Sequence, residues 1–155
     1  MEAAVSDTDI EIFYLVHRQR LRRPERRQLR HILITIDEDS VENRRPEVAA
    51  RVAAIHSALI EAPQSFAEQA LKYSECPTAL NDGLLGRVSR GQLYPELEAV
   101  AFALAPGELS APVESPLGLH LLRCDGIEEA QALSLAETTP AIRRHLEKLR
   151  LRSGD

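Results

Sequence analysis

The sequence predicts an α+β domain in which helices pack around a small, mainly antiparallel sheet. Three observations favour this class: the β-branched pattern of QLRHILITI, the two short strands in LSAPVESPLGLHLLRCD, and apolar residues at helical spacing between them. With 155 residues and 44% hydrophobic content, the chain has the size of one domain with some attached helix. Because aromatic residues make up only 4%, the core is expected to be aliphatic.

The N-terminal segment predicts a helix over residues 6–21, capped by Ser6 or Asp7. Pro24 cannot continue a helical hydrogen-bond ladder, and so the arginine-rich connection RRPERR indicates a boundary. We therefore expect three regions, which are a helical arm with a basic linker (1–26), a main domain (27–127), and a C-terminal helix with a polar tail (128–155).

The main domain is predicted to begin with a strand over residues 28–36, whose alternation places Leu29, His31, Leu33 and Thr35 on one face. A helix from Pro46 to Glu61 follows, since proline suits a first helical turn. Its apolar stripe consists of Val48, Val52, Ile55 and Leu59.

The next helix is predicted to begin after Ser65, with Glu68 at the capping-box position. Its expected apolar contacts are Phe66, Ala70 and Leu71, and it is expected to stop near Cys76 and Pro77. The turn signal in NDGLLGRV then predicts a short strand.

A helix beginning at Pro95 and a closing hairpin complete the predicted domain. The hairpin turns at residues 116–118, and its second strand places His120, Leu122 and Cys124 opposite Leu119, Leu121 and Arg123. A last capping box at Ser134 and Glu137 predicts a terminal helix with an apolar stripe, formed by Ile142, Leu146 and Leu149.

Charge and cysteine content exclude several classes of protein. A net charge of -5 argues against general binding of nucleic acids, and no apolar run is long enough to span a bilayer. Cys76 and Cys124 form neither a disulfide framework nor a zinc spacing, and Met1 is followed by acidic and polar residues, so we expect a cytoplasmic protein. The arginines before His31 indicate a solvated face or a docking patch for an acidic partner.

Five sequence blocks, taken in chain order, resemble the parvulin family of peptidyl-prolyl isomerases: HILI, YSECPTALNDGLLG, RGQLYPELEAVAFAL, GELSAPVES and GLHLL. They extend over residues 29–125. The resemblance implies a parvulin, FKBP-like fold with a four-stranded, mainly antiparallel sheet and flanking N- and C-terminal helices. It also implies catalysis of rotation about X-Pro bonds in a polypeptide client, without cofactor or metal. The likeness extends to the accessory parvulins of nitrogen fixation, which implies the nitrogenase iron protein as client.

The same resemblance implies the site residues. His31 and His120 match the paired histidines that shape the site, and Cys76 matches the cysteine beside the substrate carbonyl. The implied substrate-binding residues are Leu85, Gln92, Leu93, Leu97 and Ser115. The histidines, Cys76 and the three leucines also have a plain structural interpretation. They are then satisfied core histidines, a small buried hydrophobe and aliphatic core residues.

Two functions therefore stay open. Leu93 and Leu97 replace the Met and Phe common in parvulins, which removes an aromatic wall and favours low or altered turnover. The first function is an isomerase that assists folding or maturation of a client; the second is a client-binding chaperone module with little turnover. A metalloenzyme or a Cys-His hydrolase has little support, because no ligand, nucleophile or oxyanion motif accompanies the histidines and cysteines. Phosphorylated substrates are disfavoured by Asp37, Glu38 and Asp39.

Overall fold

The computed structural model describes residues 4–153 of the chain. The chain divides into two compact units. Unit 1 combines the segment up to Pro24 with the segment from Glu129 onward, and unit 2 consists of Glu25–Glu128. The first three residues of the predicted arm and residues 154–155 of the predicted polar tail lie outside the described residues.

The described residues form five helices and six strands. The helices are α1 (Asp7–His17), α2 (Arg45–Glu61), α3 (Phe66–Tyr73), α4 (Pro95–Ala101) and α5 (Leu135–Ser153). The strands are β1 (Arg22–Arg23), β2 (Arg26–Thr35), β3 (Leu84–Val88), β4 (Val113–Ser115), β5 (Gly118–Glu128) and β6 (Gln131–Ala132). Short 3-10 turns occupy Val41–Asn43, Pro63–Ser65 and Pro77–Asn81.

Unit 2 contains a four-stranded sheet in the order β3-β2-β5-β4, in which every neighbouring pair is antiparallel. The two long central strands pair over their whole length, with His31 opposite Leu122 and Leu33 opposite His120. This sheet and its helices confirm the predicted α+β fold.

One face of the sheet packs against α2 and α3. The strands contribute Ile32, Ile34 and Leu121 to a continuous apolar core, and α3 contributes Phe66. All four residues of the predicted α2 stripe are buried in the same core. The apolar face that alternation gives the strands thus packs against the apolar stripe that the 3.6-residue period gives α2.

Two details predicted for α3 are wrong. Ser65 makes no side-chain capping bond, because Pro63 starts a 3-10 turn and the Ser65 hydroxyl donates to the carbonyl of Ala62 instead. Leu71 is 62% exposed rather than packed, whereas Phe66 and Ala70 are buried as predicted. The eight-residue helix buries a narrow stripe, and Leu71 lies outside it.

The opposite face of the sheet packs against α4. Leu29, Leu122 and Cys124 from the sheet meet Leu97 and Ala101 from the helix, as the strand alternation predicts. The hairpin between β4 and β5 turns tightly at Gly118, where φ is +155° and an added Cβ would lie 2.2 Å from the carbonyl oxygen of Ile34. Glycine therefore permits β5 to begin directly against β2.

Unit 1 is built from the two ends of the chain. Ser6 caps α1 in a complete capping box, and the predicted box at Ser134 and Glu137 is present at the start of α5. Ile10 and Ile142 are buried together, while Leu149 of the predicted stripe is 44% exposed. The helix α1 ends at His17, before the predicted Leu21, because the chain there turns into β1.

The strands β1 and β6 are two residues each and pair antiparallel, with Arg23 opposite Gln131. This pairing has no counterpart in the sequence analysis, since two residues are too short to show an alternating pattern. No helix within residues 4–153 has the length and apolar content needed to cross a membrane.

Candidate functional site

A cavity of about 410 Å³ lies in unit 2, where the middle of β2, the start of β3 and the start of β5 face the start of α4. Its lining is mostly aliphatic and carries no carboxylate, lysine or arginine. The residues that line it are His31, Leu85, Gln92, Leu93, Tyr94, Pro95, Leu97, Leu117 and His120. Such a cavity suits a small apolar group presented by a larger ligand.

Four side chains form a hydrogen-bonded chain, of which the two histidines line the cavity. Thr78 Oγ1 lies 3.0 Å from Nε2 of His31, and Nδ1 of His31 lies 3.3 Å from Nδ1 of His120. Nε2 of His120 lies 2.7 Å from the hydroxyl of Ser115. The histidine rings are nearly parallel, with centroids 5.5 Å apart. Every ring nitrogen of both buried histidines therefore has a partner.

The contact between the two Nδ1 atoms fixes how protons are arranged. One Nδ1 must carry the proton and the other must accept it, so the two rings cannot both be cations, and two neutral rings satisfy all three contacts. The four groups then donate in one direction, from Thr78 to Ser115 or from Ser115 to Thr78. Ser115 also accepts the backbone N–H of Leu117, which ties the network to the turn before β5.

Burial keeps the histidines neutral at physiological pH. It lowers the pKa of His31 to about 4, and the neighbouring His120 adds to that shift. Burial likewise lowers the pKa of His120 to about 4, although the carboxylate of Glu96 opposes the shift. Both rings therefore act as hydrogen-bonding groups of fixed geometry rather than as cations.

The structure brings together most of the residues predicted for substrate binding. Leu85, Leu93 and Leu97 all line the cavity, and Gln92 lines it with its amide oxygen accepting the backbone N–H of Ser89. Ser115 is buried behind His120 rather than lining the cavity.

Cys76 is placed differently from the histidines. It is half-buried, precedes the 3-10 turn Pro77–Asn81, and is not one of the residues that line the cavity. It lies two positions before Thr78, which does contact His31. Cys124 is fully buried in the core beneath α4, as its sequence context predicts.

Three site residues have no counterpart in the sequence analysis. Thr78 holds His31, Tyr94 lines the cavity before α4, and Leu117 lines it from the turn between β4 and β5. The signal for Thr78 is its position directly after Cys76-Pro77. Tyr94 and Leu117 are 43% and 47% exposed, so no core pattern could have indicated them.

Comparison with known proteins identifies the family. The rotamase PPIC-type PPIase domain model matches residues 31–126. NifM of Azotobacter chroococcum mcd 1, which carries the name peptidyl-prolyl cis-trans isomerase, is 47% identical over 92% of this chain. NifM of Klebsiella pneumoniae is 38% identical over 88% of it. The alignments cover 49% and 50% of those proteins, so the chain spans about half the length of these relatives.

Solved structures share the same fold. A PpiC-type peptidyl-prolyl cis-trans isomerase domain superposes with a TM-score of 0.61 at 31% identity, over 68% of this chain and 93% of that one. The structure reported for the SurA-like chaperones PEB4 and Cj1289 of Campylobacter jejuni has a TM-score of 0.71 at 20% identity, over 96% of this chain and 59% of that one. At that identity the second match shows the fold alone.

Proposed function

Because this chain belongs to the PPIC-type peptidyl-prolyl isomerase family, we propose that it catalyses cis/trans rotation about X-Pro bonds in a polypeptide client. The observation that carries the proposal is the uncharged cavity with two neutral histidines in its floor. A proline ring is small and apolar enough to fit inside it together with part of the flanking peptide.

The chemistry requires only that the twisted amide be bound better than the planar one. Rotation crosses a barrier of about 18–20 kcal/mol because the planar amide is stabilised by resonance. At the twisted geometry the amide loses its strong dipole, and a dry site of low polarity penalises it less than the planar form. The enclosed leucines would hold the ring while the preceding carbonyl turns.

Each predicted residue takes a role in this proposal. Leu85, Leu93 and Leu97 enclose the proline ring, and Gln92 contacts the substrate backbone. His31 and His120 keep the shape of the floor, with Ser115 as a positioning residue for His120. Cys76 lies beside the substrate carbonyl once a peptide is bound.

A second function, a client-binding chaperone module with weak turnover, is favoured by one observation. The cavity walls at Leu93 and Leu97 are aliphatic, so the ring meets no aromatic face at these two positions. Proteins named Chaperone SurA are also similar to this chain; that of Ralstonia nicotianae is 41% identical over 67% of it.

The resemblance to nitrogen-fixation parvulins supports the nitrogenase iron protein as the client and the cytoplasm as the location. The test is accumulation of that iron protein in cells that lack their accessory isomerase. We expect a full-length protein carrying this chain to restore accumulation, and the same protein with His120→Ala to restore less. Equal accumulation with and without the full-length protein would remove this client.

An NMR exchange measurement on X-Pro peptides tests the activity itself. We expect the native chain to accelerate exchange, and His120→Ala and Cys76→Ala to lose much of that acceleration. The matched controls are His56→Ala on α2 and Cys124→Ala in the core, which change the same residue types at positions that do not line the cavity. Peptide binding without accelerated exchange would establish the chaperone function instead.

A further inference from the structure

Charge is absent from the lining of the cavity but present at its mouth. Glu96 lies in the first turn of α4, directly between the lining residues Pro95 and Leu97. Its side chain is exposed, and it forms no ion pair or hydrogen bond with any residue in the range 4–153. A carboxylate in this position meets a bound peptide where the chain enters or leaves the proline site.

A second acidic segment follows β2 and is joined by one hydrogen bond to a residue that lines the cavity. Leu117 is that residue, and its carbonyl accepts the backbone N–H of Ile36 at 3.3 Å. Asp37 follows Ile36 at once, and both Asp37 and Asp39 are exposed. Neither aspartate forms an ion pair within the part of the chain that the structure describes.

Two neighbouring arginines have partners of their own, and one of them also pairs with the acidic loop. Arg90, on the loop before α4, lies over the ring of Phe102, with its guanidinium carbon 4.6 Å from the centroid. Arg45 pairs with Glu114 and lies 3.9 Å from Glu38. Glu96 is therefore left without an ion-pair partner among the described residues, whereas Arg45 partly offsets the charge of the acidic loop at Glu38.

The field of Glu96 reaches the floor of the cavity. Its carboxylate acts on His120 and partly offsets the effect of burial on the pKa of that ring. A charge that acts on a buried ring also acts on a ligand that occupies the space in front of it, where water is displaced.

We propose that Glu96 selects client segments that carry lysine or arginine next to the proline. The inference rests on the proposed function, in that it takes this cavity as the proline site. The acidic loop after β2 supplies a weaker field of the same sign. An exposed ion pair with one carboxylate corresponds to about a two- to fivefold preference.

The test uses three peptides that differ only before proline, Ala-Lys-Pro, Ala-Gln-Pro and Ala-Glu-Pro, at low salt. Exchange rates give kcat/KM, and chemical-shift titration of the same samples gives Kd. We expect the Lys peptide to exceed the Gln peptide by about two- to fivefold, and the Glu peptide to fall below it. The preference should shrink as salt is added, because exposed charges are screened.

Three variants locate the effect. Glu96→Gln should bring the Lys and Glu peptides to within about twofold of each other, and Glu96→Lys should reverse their order. The control is Glu61→Gln on α2, which removes the same charge from an exposed residue on the other face of the sheet and should keep the native preference.

The outcomes separate this inference from the proposed function. Acceleration of the Gln peptide with equal values for the Lys and Glu peptides overturns the charge selection but leaves the isomerase. Binding without acceleration, with Lys preferred in Kd and the preference lost in Glu96→Gln, removes the isomerase but keeps the selection. A preference unchanged in both Glu96 variants overturns the role of Glu96.

Discussion

The two faces of the central sheet use the same strands for opposite purposes. On the face under α2 and α3, Ile32, Ile34 and Leu121 are buried in an apolar core. On the other face, His31 and His120 project from the same two strands beside a cavity of about 410 Å³. One residue of offset along a strand thus separates a residue that stabilises the fold from one that shapes a site.

The largest expected effect is a loss of stability when the apolar core is disrupted. Phe66 is 1% exposed at the centre of that core, and Phe66→Ala should lower the free energy of unfolding by about 3–5 kcal/mol through lost burial and a residual cavity. Urea unfolding measures this loss. For the fraction that stays folded, kcat/KM for an X-Pro peptide should change less than about twofold, because Phe66 does not line the site. A loss of kcat/KM larger than the loss of folded protein would show that the faces are coupled.

The next effect is a pH dependence of the free energy of unfolding, which we expect to arise from the two histidines. The folded pKa of each histidine, about 4, lies below its ordinary value of 6.5, so between these values the unfolded chain binds more protons. Stability is therefore complete above about pH 6.5 and falls as the pH is lowered toward 4. Between pH 7 and pH 5 the loss should be of the order of 2 kcal/mol for each histidine.

Urea unfolding at the two pH values checks this dependence. The carboxyl groups whose pKa is lowered, Asp9, Glu114 and Glu137, contribute only as the pH falls through about 4, so they do not obscure the window. His56→Gln should keep the pH dependence, and His120→Gln should reduce it. Equal stability of the native chain at pH 7 and pH 5 would show that the histidines are not held neutral by folding.

A smaller effect is expected when the hydrogen bond between Thr78 and His31 is removed. Thr78→Val removes the partner of His31 Nε2 and should cost about 1 kcal/mol, because a buried polar atom loses its hydrogen bond. Thr78→Ser keeps the hydroxyl and should restore the 15N chemical shifts of the His31 ring. The prediction fails if the valine and serine variants give the same ring shifts.

The smallest effect concerns the exposed side of α3. Leu71 is 62% exposed, and so Leu71→Ala should change the free energy of unfolding by less than about 0.5 kcal/mol. Ala70, its neighbour in sequence, is fully buried, and Ala70→Leu should destabilise the fold by about 1–3 kcal/mol through overpacking. Similar values for the two variants would place both residues at the same interface.

The sequence was sufficient to predict the sheet and its two faces. Alternation in HILITI and GLHLL determines which side chains of one strand share a face, whereas the pairing of His31 with His120 was implied by the resemblance to parvulins. Proline at Pro46 and Pro95 likewise marked the starts of α2 and α4 to within one residue. These signals are local and periodic, and so they can be read from one chain.

What could not be predicted depends on contacts distant in sequence. Thr78 contacts His31, which is 47 positions away in sequence, and no local pattern around Thr78 predicts that contact. Ser65 has capping-box spacing to Glu68, but its hydroxyl donates to the carbonyl of Ala62 in the turn that begins at Pro63. The role of Cys76 stays a prediction, since it depends on a bound peptide.

The register of β2 and β5 has a consequence for how unit 2 can be moved between proteins. Arg26 and Glu128 are directly opposed, so the segment enters and leaves its fold at neighbouring positions, about 4.5–5.5 Å apart in an antiparallel pair. A segment with adjacent ends can be grafted into a surface loop of a host at little cost in loop closure, since the host loop need only open by two neighbouring residues. The same geometry suits the place of unit 2 in this chain, where it is inserted between the two segments that form unit 1.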